Sequence, residues 1–387
     1  MIKKMIISTF LIGLCLISLQ SINAADIKVH PGDSIQSAIN KASSGDTVIV
    51  YDNNQKSYTY KESLKINKKI HLKASGSVTI QARTTGSSVI SISQSGSGSI
   101  IQDFKLTKSS YSVVINNAKY CKLLGNRISA ASLVGIQFYG NVDHTRVICN
   151  SITGTSSTRG NGISFESGSS TYNVIEKNTI NNFLNGILFN QKSEYNIVKG
   201  NKVLGYAMRG AGIYATDNSR MNQILSNIVT GYEDGIAIQK IGSGIAKDYT
   251  INGNTVKANK NGFWMRLVSS EIIYNTATLN KASGLDITGG YNYIANNVAT
   301  KNGICGIALG RYYSADHNTV TKNTLTYNIA GINSASHYTT ISNNYVCNNK
   351  NNGIISTANH TTITGNTILN NASRIIVTGT SNTVTNN

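Results

Sequence analysis

A single proline, Pro31, stands in a chain of 387 residues. Proline cannot donate to a strand ladder and is kept out of central strands. Its scarcity fits a chain in which nearly every residue after Pro31 lies in a stacked strand or a tight turn. Charge is scarce too. Charged residues make up 13% of the chain and hydrophobic ones 40%, which excludes a disordered chain and leaves material for a large core. The 17 acidic residues nowhere cluster, so calcium is a weak candidate and no other cofactor is expected. Cysteines are few, and none sits in CxxC or another metal-binding spacing. Cys121 and Cys149 fall in neighbouring repeats but four positions apart along the strand, which does not suit a disulfide. With Cys305 and Cys347 they are expected as buried small hydrophobes. Beyond Met5 to Leu19 no long apolar run exists, so no C-terminal anchor is expected.

What the chain has in quantity is asparagine and 35 glycines, the residues of tight turns. Between Tyr172 and Asn190 two short apolar-alternating strands flank Asn178, and Gly186-Ile187 starts the second. The same Asn recurs at Asn126, Asn150, Asn201, Asn227, Asn254, Asn275, Asn296, Asn323, Asn344 and Asn366, in steps of 21 to 28 residues. The Gly recurs from Gly135 and Gly162 through Gly212, Gly235, Gly262, Gly284, Gly306 and Gly331 to Gly353. A repeat of that length built from short strands implies a solenoid. The first and third residues after each Gly are apolar, as in Ile136/Phe138, Ile163/Phe165 and Ile187/Phe189. Strand period two sends them to one side, which must be the core. Phe138, Phe165 and Phe189 are then predicted to stack as an internal aromatic ladder, with the Asn side chains forming a polar one at the turn.

Three segments follow. Residues 1–24 read as a secretory signal, with Lys3 and Lys4 before the apolar run and Ala24 and Ala25 after it. Without those lysines the formal charge of +18 becomes +16, which suits association with an anionic polymer. The basic residues are scattered and carry no nucleic-acid motif. Residues 25–57 form a cap and first strand. Asp33 and Gln36 resemble a capping box, Ile35, Ala38, Ile39 and Ala42 share a helix face, and Gly45 is expected to end the helix. Residues 58–387 are coils. The last strands carry no visible cap, so an end-to-end contact is expected there.

If positions one and three after each Gly point inward, positions two and four point out. They bring Tyr139, Glu166, Asn190, Gln239 and Trp264 to one face, with Lys192 and Lys240 just beyond. Rings beside amides and cations are what a sugar-binding surface needs. Glycoside hydrolysis there is disfavoured. Glu166 and Asp286 lie five coils apart, roughly 24 Å, and Asp217 and Asp234 are roughly 20 Å apart along the strand. Paired-carboxylate chemistry needs about 5–9.5 Å. Abstraction of a uronate C5 proton needs instead a base and a cation for the carboxylate. Tyr214, Arg266, Asp286 and Arg311 are the candidate set. His144, His317, His337 (counted from Asn343) and His360 share a position six residues before a turn Asn, with Tyr172, Tyr195 and Tyr291 in other coils. His317, His337 and His360 are the weak metal candidates. Two sequons, Asn359-His-Thr361 and Asn371-Ala-Ser373, lie in late coils.

The opening Pro31-Gly-Asp-Ser-Ile-Gln-Ser-Ala-Ile-Asn40 and Gly45-Asp-Thr-Val-Ile-Val50 resemble the start of pectin-lyase-like right-handed parallel β-helix proteins. The Asn-Thr-Ile…Gly-Ile units resemble repeats of the NosD-like and adhesin-like branches. The resemblance implies an all-β, three-sheet, right-handed solenoid behind a short capping helix. It also implies one of several activities: polysaccharide lyase, epimerase, hydrolase, non-catalytic surface protein, or periplasmic copper-site maturation. Neither the aspartate cluster that binds calcium in pectate lyases nor an Asp-Pro-His signature of alginate epimerases occurs here. The expectation is an exported, cell-surface or periplasmic protein that binds carbohydrate, adhesin-like and non-catalytic. It is not an integral membrane protein once the signal is removed. Lyase or epimerase action on a uronate polymer is the alternative, and NosD-like metal handling a further one.

Overall fold

A computed structural model describes residues 24–387 except Gln191, 217–218, 240–245 and 311–315. Residues 1–23 of the signal, Asp217, Lys240 and Arg311 therefore lie outside the described residues. Each repeat contributes three short strands. In one coil these are Val174–Glu176, Thr179–Asn181 and Asn185–Phe189. Every strand pairs in parallel with its counterpart one repeat later, for instance Ile175 with Val198, Ile180 with Val203 and Ile187 with Ile213. The first sheet so formed has 16 strands, from Asp26–Val29 to Thr383–Thr385. The second and third sheets are continuous in the early coils, where Lys105–Asn116 and Arg127–Tyr139 bend through the corner and belong to both. The expected parallel β-solenoid is thus present.

The core is a column enclosed by the three sheets. Ile136, Ile163, Ile187, Ile213, Ile236, Phe263, Leu285 and Ile307 are completely buried in one file. The internal ladder forms as expected, with Phe138 on Phe165 at 4.3 Å and Phe165 on Phe189 at 4.5 Å between ring centroids.

The polar ladder is more extensive than the single file anticipated. At the corner between the first and second sheets, Asn178 Nδ2 donates to Asn201 Oδ1 (3.0 Å) and to the Val147 carbonyl (2.8 Å), while its own Oδ1 accepts from Asn150 N (2.9 Å). The pattern repeats to Asn387. A second file enters the first sheet through Asn173, Asn196 and Asn222. A third, Asn259 to Asn371, lies between the second and third sheets. These amides satisfy backbone groups that a three-cornered chain would otherwise bury unpaired.

The left-handed residue is not the ladder Asn but the one before it. Cys149, Lys177, Ser226, Tyr274 and Lys322 all have φ between 53° and 57° and precede ladder members. Two expectations change for this reason. In the doublet Asn296-Asn297, Asn296 takes the left-handed slot and Asn297 joins the ladder. Cys149 sits in the same kind of slot, so its side chain faces solvent, whereas Cys121, Cys305 and Cys347 are buried.

The cap forms with a different N-terminus. Helix α1 (Ile35–Lys41) buries Ile35, Ala38 and Ile39. Its N-cap is Ser34, and its first amides are held from afar by Glu62, whose carboxylate accepts from Ile35 N (2.8 Å) and Gln36 N (3.0 Å). Asp33 instead accepts from His30 N. The helix closes at Ala42, ahead of Gly45.

Candidate functional site

The third sheet carries the selected face. Its strands hold Tyr214 beside Ala237, Ala237 beside Trp264, Trp264 beside Asp286 and Asp286 beside Ala308 in one outward row. Two residues along, Tyr139 pairs with Glu166, Thr216 with Gln239 and Arg266 with Thr288. Arg266 is therefore diagonal to Asp286, as the repeat register predicts. Tyr139 is 45% exposed, Trp264, Tyr214 and Arg266 are half-buried, and Asn190 and Lys192 are exposed.

The face is less open than an ordinary solvated sheet. Gln137, Ser164, Ala237, Asp286 and Ala308 all point out of the core yet are buried. Glu166 is held on both oxygens, by Gln137 Nε2 at 2.7 Å and Ser164 Oγ at 2.9 Å, which fixes its carboxylate against the sheet. Tyr214 Oη lies 3.4 Å from Gln239 Oε1, so these two candidates meet.

Asp234, too far from Asp217 for paired-carboxylate chemistry, gains a different significance from its burial. Asp234 opens the strand Asp234–Gln239 and is 6% exposed. Its carboxyl is pushed up to about 6, chiefly by burial, against the lowering effect of the hydrogen bond from Asn261 Nδ2 at 2.7 Å. The signal was present: Asn161, Asn185 and Asn261 occupy the same register position in other coils, and Asp234 alone among them can ionise. Between pH 3.8 and about 6 the folded protein keeps a proton that the unfolded chain releases. Stability therefore falls as pH rises through that window, by about 2–3 kcal/mol at most. Asp234→Asn keeps an acceptor for Asn261 and removes the charge. Its urea midpoint should exceed the parent's at pH 7.5 and match it near pH 3.5. Equal midpoints at pH 7.5 would show that Asp234 is not strained by ionisation.

The histidine file is corrected. His317 stacks on Tyr291 at 4.8 Å and on Tyr338 at 4.9 Å, and Tyr338 stacks on His360 at 4.7 Å. His337 is not in the file; its Nδ1 accepts from Asn359 N at 3.1 Å. The cause is another doublet: Asn344, not Asn343, is the ladder member, so the position six residues before it is Tyr338. Earlier in the chain Tyr120, His144, Tyr172 and Tyr195 stack in the same way. Of the sequon residues, Asn371 already uses Nδ2 to donate to the Val346 and Leu369 carbonyls.

A family model described as "Periplasmic copper-binding protein (NosD)" matches residues 39–235 and 228–387. The chain belongs to the NosD family. This places it among right-handed β-helix proteins of the pectin-lyase-like kind. No curated protein matches it. Among solved structures, a mutant of the periplasmic alginate epimerase AlgG is 16% identical over 92% of this chain and 83% of its own, with a TM-score of 0.50. The Siphovirus 9NA tailspike receptor binding domain is 12% identical over 91% of this chain and 76% of its own, with a TM-score of 0.55. Bacteriophage CBA120 tailspike protein 3 is 12% identical over 91% and 57%, with a TM-score of 0.53. At these identities the likeness is one of fold.

The family's description implies copper, and the donors among the described residues do not fit it. Among the described residues no three His, Cys, Asp or Glu side chains converge as a metal site. His317 and His360 are kept apart by the Tyr338 ring. His71 Nε2 is engaged with Gln102 Oε1 at 3.0 Å, and His144 Nδ1 with Asp143 at 3.0 Å. The family is periplasmic by its description, and no helix among the described residues is long and apolar enough to cross a membrane.

Proposed function

We propose that this NosD-family protein is exported and binds an anionic, uronate-containing polysaccharide along the outer face of its third sheet, without turning it over. The observation that carries the reading is the row through Tyr214 and Trp264 with Arg266 two residues on, set on a rigid ladder. An indole presents a face to a sugar ring, and a guanidinium takes a carboxylate in two parallel hydrogen bonds. Stacked coils repeat every ~4.8 Å, so such contacts can follow an extended polymer. The formal charge, +16 once Lys3 and Lys4 of the signal are removed from the +18 of the full chain, favours the anionic member of the class. A protein named as an alginate epimerase shares the fold, which agrees with a carbohydrate ligand.

Trp264→Ala and Arg266→Ala, each measured by titration calorimetry with alginate oligosaccharides, should weaken binding about tenfold or more. Binding unchanged in both variants would remove the face from the account.

The diagonal placement of Arg266 and Asp286 supports a second reading. In it Asp286 takes the C5 proton of a uronate while Arg266 and Arg311 neutralise its carboxylate, and Tyr214 gives a proton either to the C4 oxygen as the C4–O bond breaks in β-elimination or to the opposite face of C5 in epimerisation. β-Elimination would then raise the ultraviolet absorbance of unsaturated chain ends, and epimerisation would exchange the C5 proton with solvent. Neither signal is expected under the binding reading. Copper retained at one equivalent after dialysis would return the metal-handling role.

A further inference from the structure

A second site lies on a different face of the solenoid. The outer surface of the second sheet is hollowed over four early coils into a groove of about 380 Å³. Its floor is two outward rows. Lys105 and Arg127 are directly opposite each other in one row, with Ser151 following. Thr107, Ser129 and Thr153 line the other.

Like charges placed directly opposite on neighbouring strands repel and are destabilising. Here no carboxylate lines the groove. Among the described residues neither Lys105 nor Arg127 forms an ion pair. Lys105 Nζ is positioned by a neutral partner, Ser77 Oγ, at 2.9 Å. The groove also sits where the solenoid departs from its own rule. Thr107 and Ser129 each lie at or just before a tight bend, with Lys108 and Ala130 left-handed at φ 56°. Later coils keep a left-handed residue at this corner too, such as Ala258 or Leu279, but follow it with a ladder asparagine, Asn259 or Asn280, where these coils have Ser109 and Ala131. The register shifts at Ala131 on both sides of the Arg127–Tyr139 strand.

We infer that Lys105 and Arg127 form a secondary binding site for the carboxylate of an acidic sugar, with the hydroxyls of Thr107, Ser129 and Thr153 as partners for the sugar's own hydroxyls. A carboxylate between the two cations removes their repulsion and receives charge-assisted hydrogen bonds from both. A row of hydroxyls one coil apart can both donate and accept, as a polyol requires. The site is on another sheet from Trp264, so an acidic polymer could be held at two points of one molecule.

The test uses the full chain with trigalacturonate as carboxylated probe, maltotriose as neutral probe and a sulfated trisaccharide. Binding is read by calorimetry and its place by hydrogen exchange. The expected result is protection in the second-sheet halves of strands Lys105–Asn116 and Arg127–Tyr139, residues 105–108 and 127–130, by trigalacturonate, and none by maltotriose. Lys105→Gln/Arg127→Gln should lose that protection and weaken this binding event about tenfold or more. Trp264→Ala/Arg266→Ala should leave it intact, which separates this site from the third-sheet face. Without ligand the Gln/Gln variant should be about as stable as the parent, because relief of the repulsion offsets the lost Lys105–Ser77 hydrogen bond. Binding and protection unchanged in that variant would overturn the proposal. So would protection by the sulfated probe and not by trigalacturonate.

Discussion

Asn227→Ala is expected to lower the stability of the solenoid by about 3–5 kcal/mol. Asn227 is fully buried. Its Nδ2 donates to the Val198 carbonyl at 2.9 Å and to Asn254 Oδ1 at 3.0 Å, and its Oδ1 accepts from Asn201 N and Asn201 Nδ2 at 2.9 and 3.0 Å. Alanine keeps none of these and leaves an amide N–H and a carbonyl buried without partners. Each such group costs about 1–3 kcal/mol. Because each coil contacts only its neighbours, the damage should be local. Hydrogen exchange should accelerate in the strands around Val198, Leu225 and Ile251 while those near the cap keep their protection. A urea midpoint indistinguishable from the parent's would show that the ladder is decoration.

Gly186→Ala should cost about 3 kcal/mol or more, through crowding. A Cβ at Gly186 would stand 2.1 Å from Val203 Cγ1 and 2.5 Å from the Gly212 carbonyl oxygen. The Gly column is thus required by close approach of chain to chain between coils, with no unusual φ involved at this position. The crowding has two parts of different softness. Adding Val203→Ala removes the side-chain clash but leaves the carbonyl, so the double variant should regain part of the loss and not all of it. Complete rescue, read by thermal denaturation, would place the whole constraint on Val203.

These two residues also show what was legible. Gly186, Ile187 and Phe189 could be set in register by strand period alone, and the buried column and stacked phenylalanines follow from that. The repeat length varies between 21 and 28 residues, however, so a position counted back from a doublet is uncertain by one. Asn296-Asn297 and Asn343-Asn344 each offer two candidates, and only the backbone shows that the first turns left-handed and the second joins the ladder. His337 was misplaced for that reason, and Tyr338 holds the stacking position. Cys149 follows the same rule, since a residue before a ladder Asn must face outward. The capping role of Glu62 was not legible, because 27 residues separate it from the Ile35 amide it accepts. Nor was the burial of Asp234 and Asp286, since alternation tells which side a residue faces and not how much of that side is covered.

The central claim is that an acidic polysaccharide lies on the outer face of the third sheet. Hydrogen exchange of the full chain with and without alginate oligosaccharides tests it directly. Exchange should slow in the third-sheet strands Ala211–Thr216, Asp234–Gln239 and Asn261–Arg266, with no change in the first sheet. Slowed exchange confined to the first sheet, or none anywhere at saturating oligosaccharide, would contradict it.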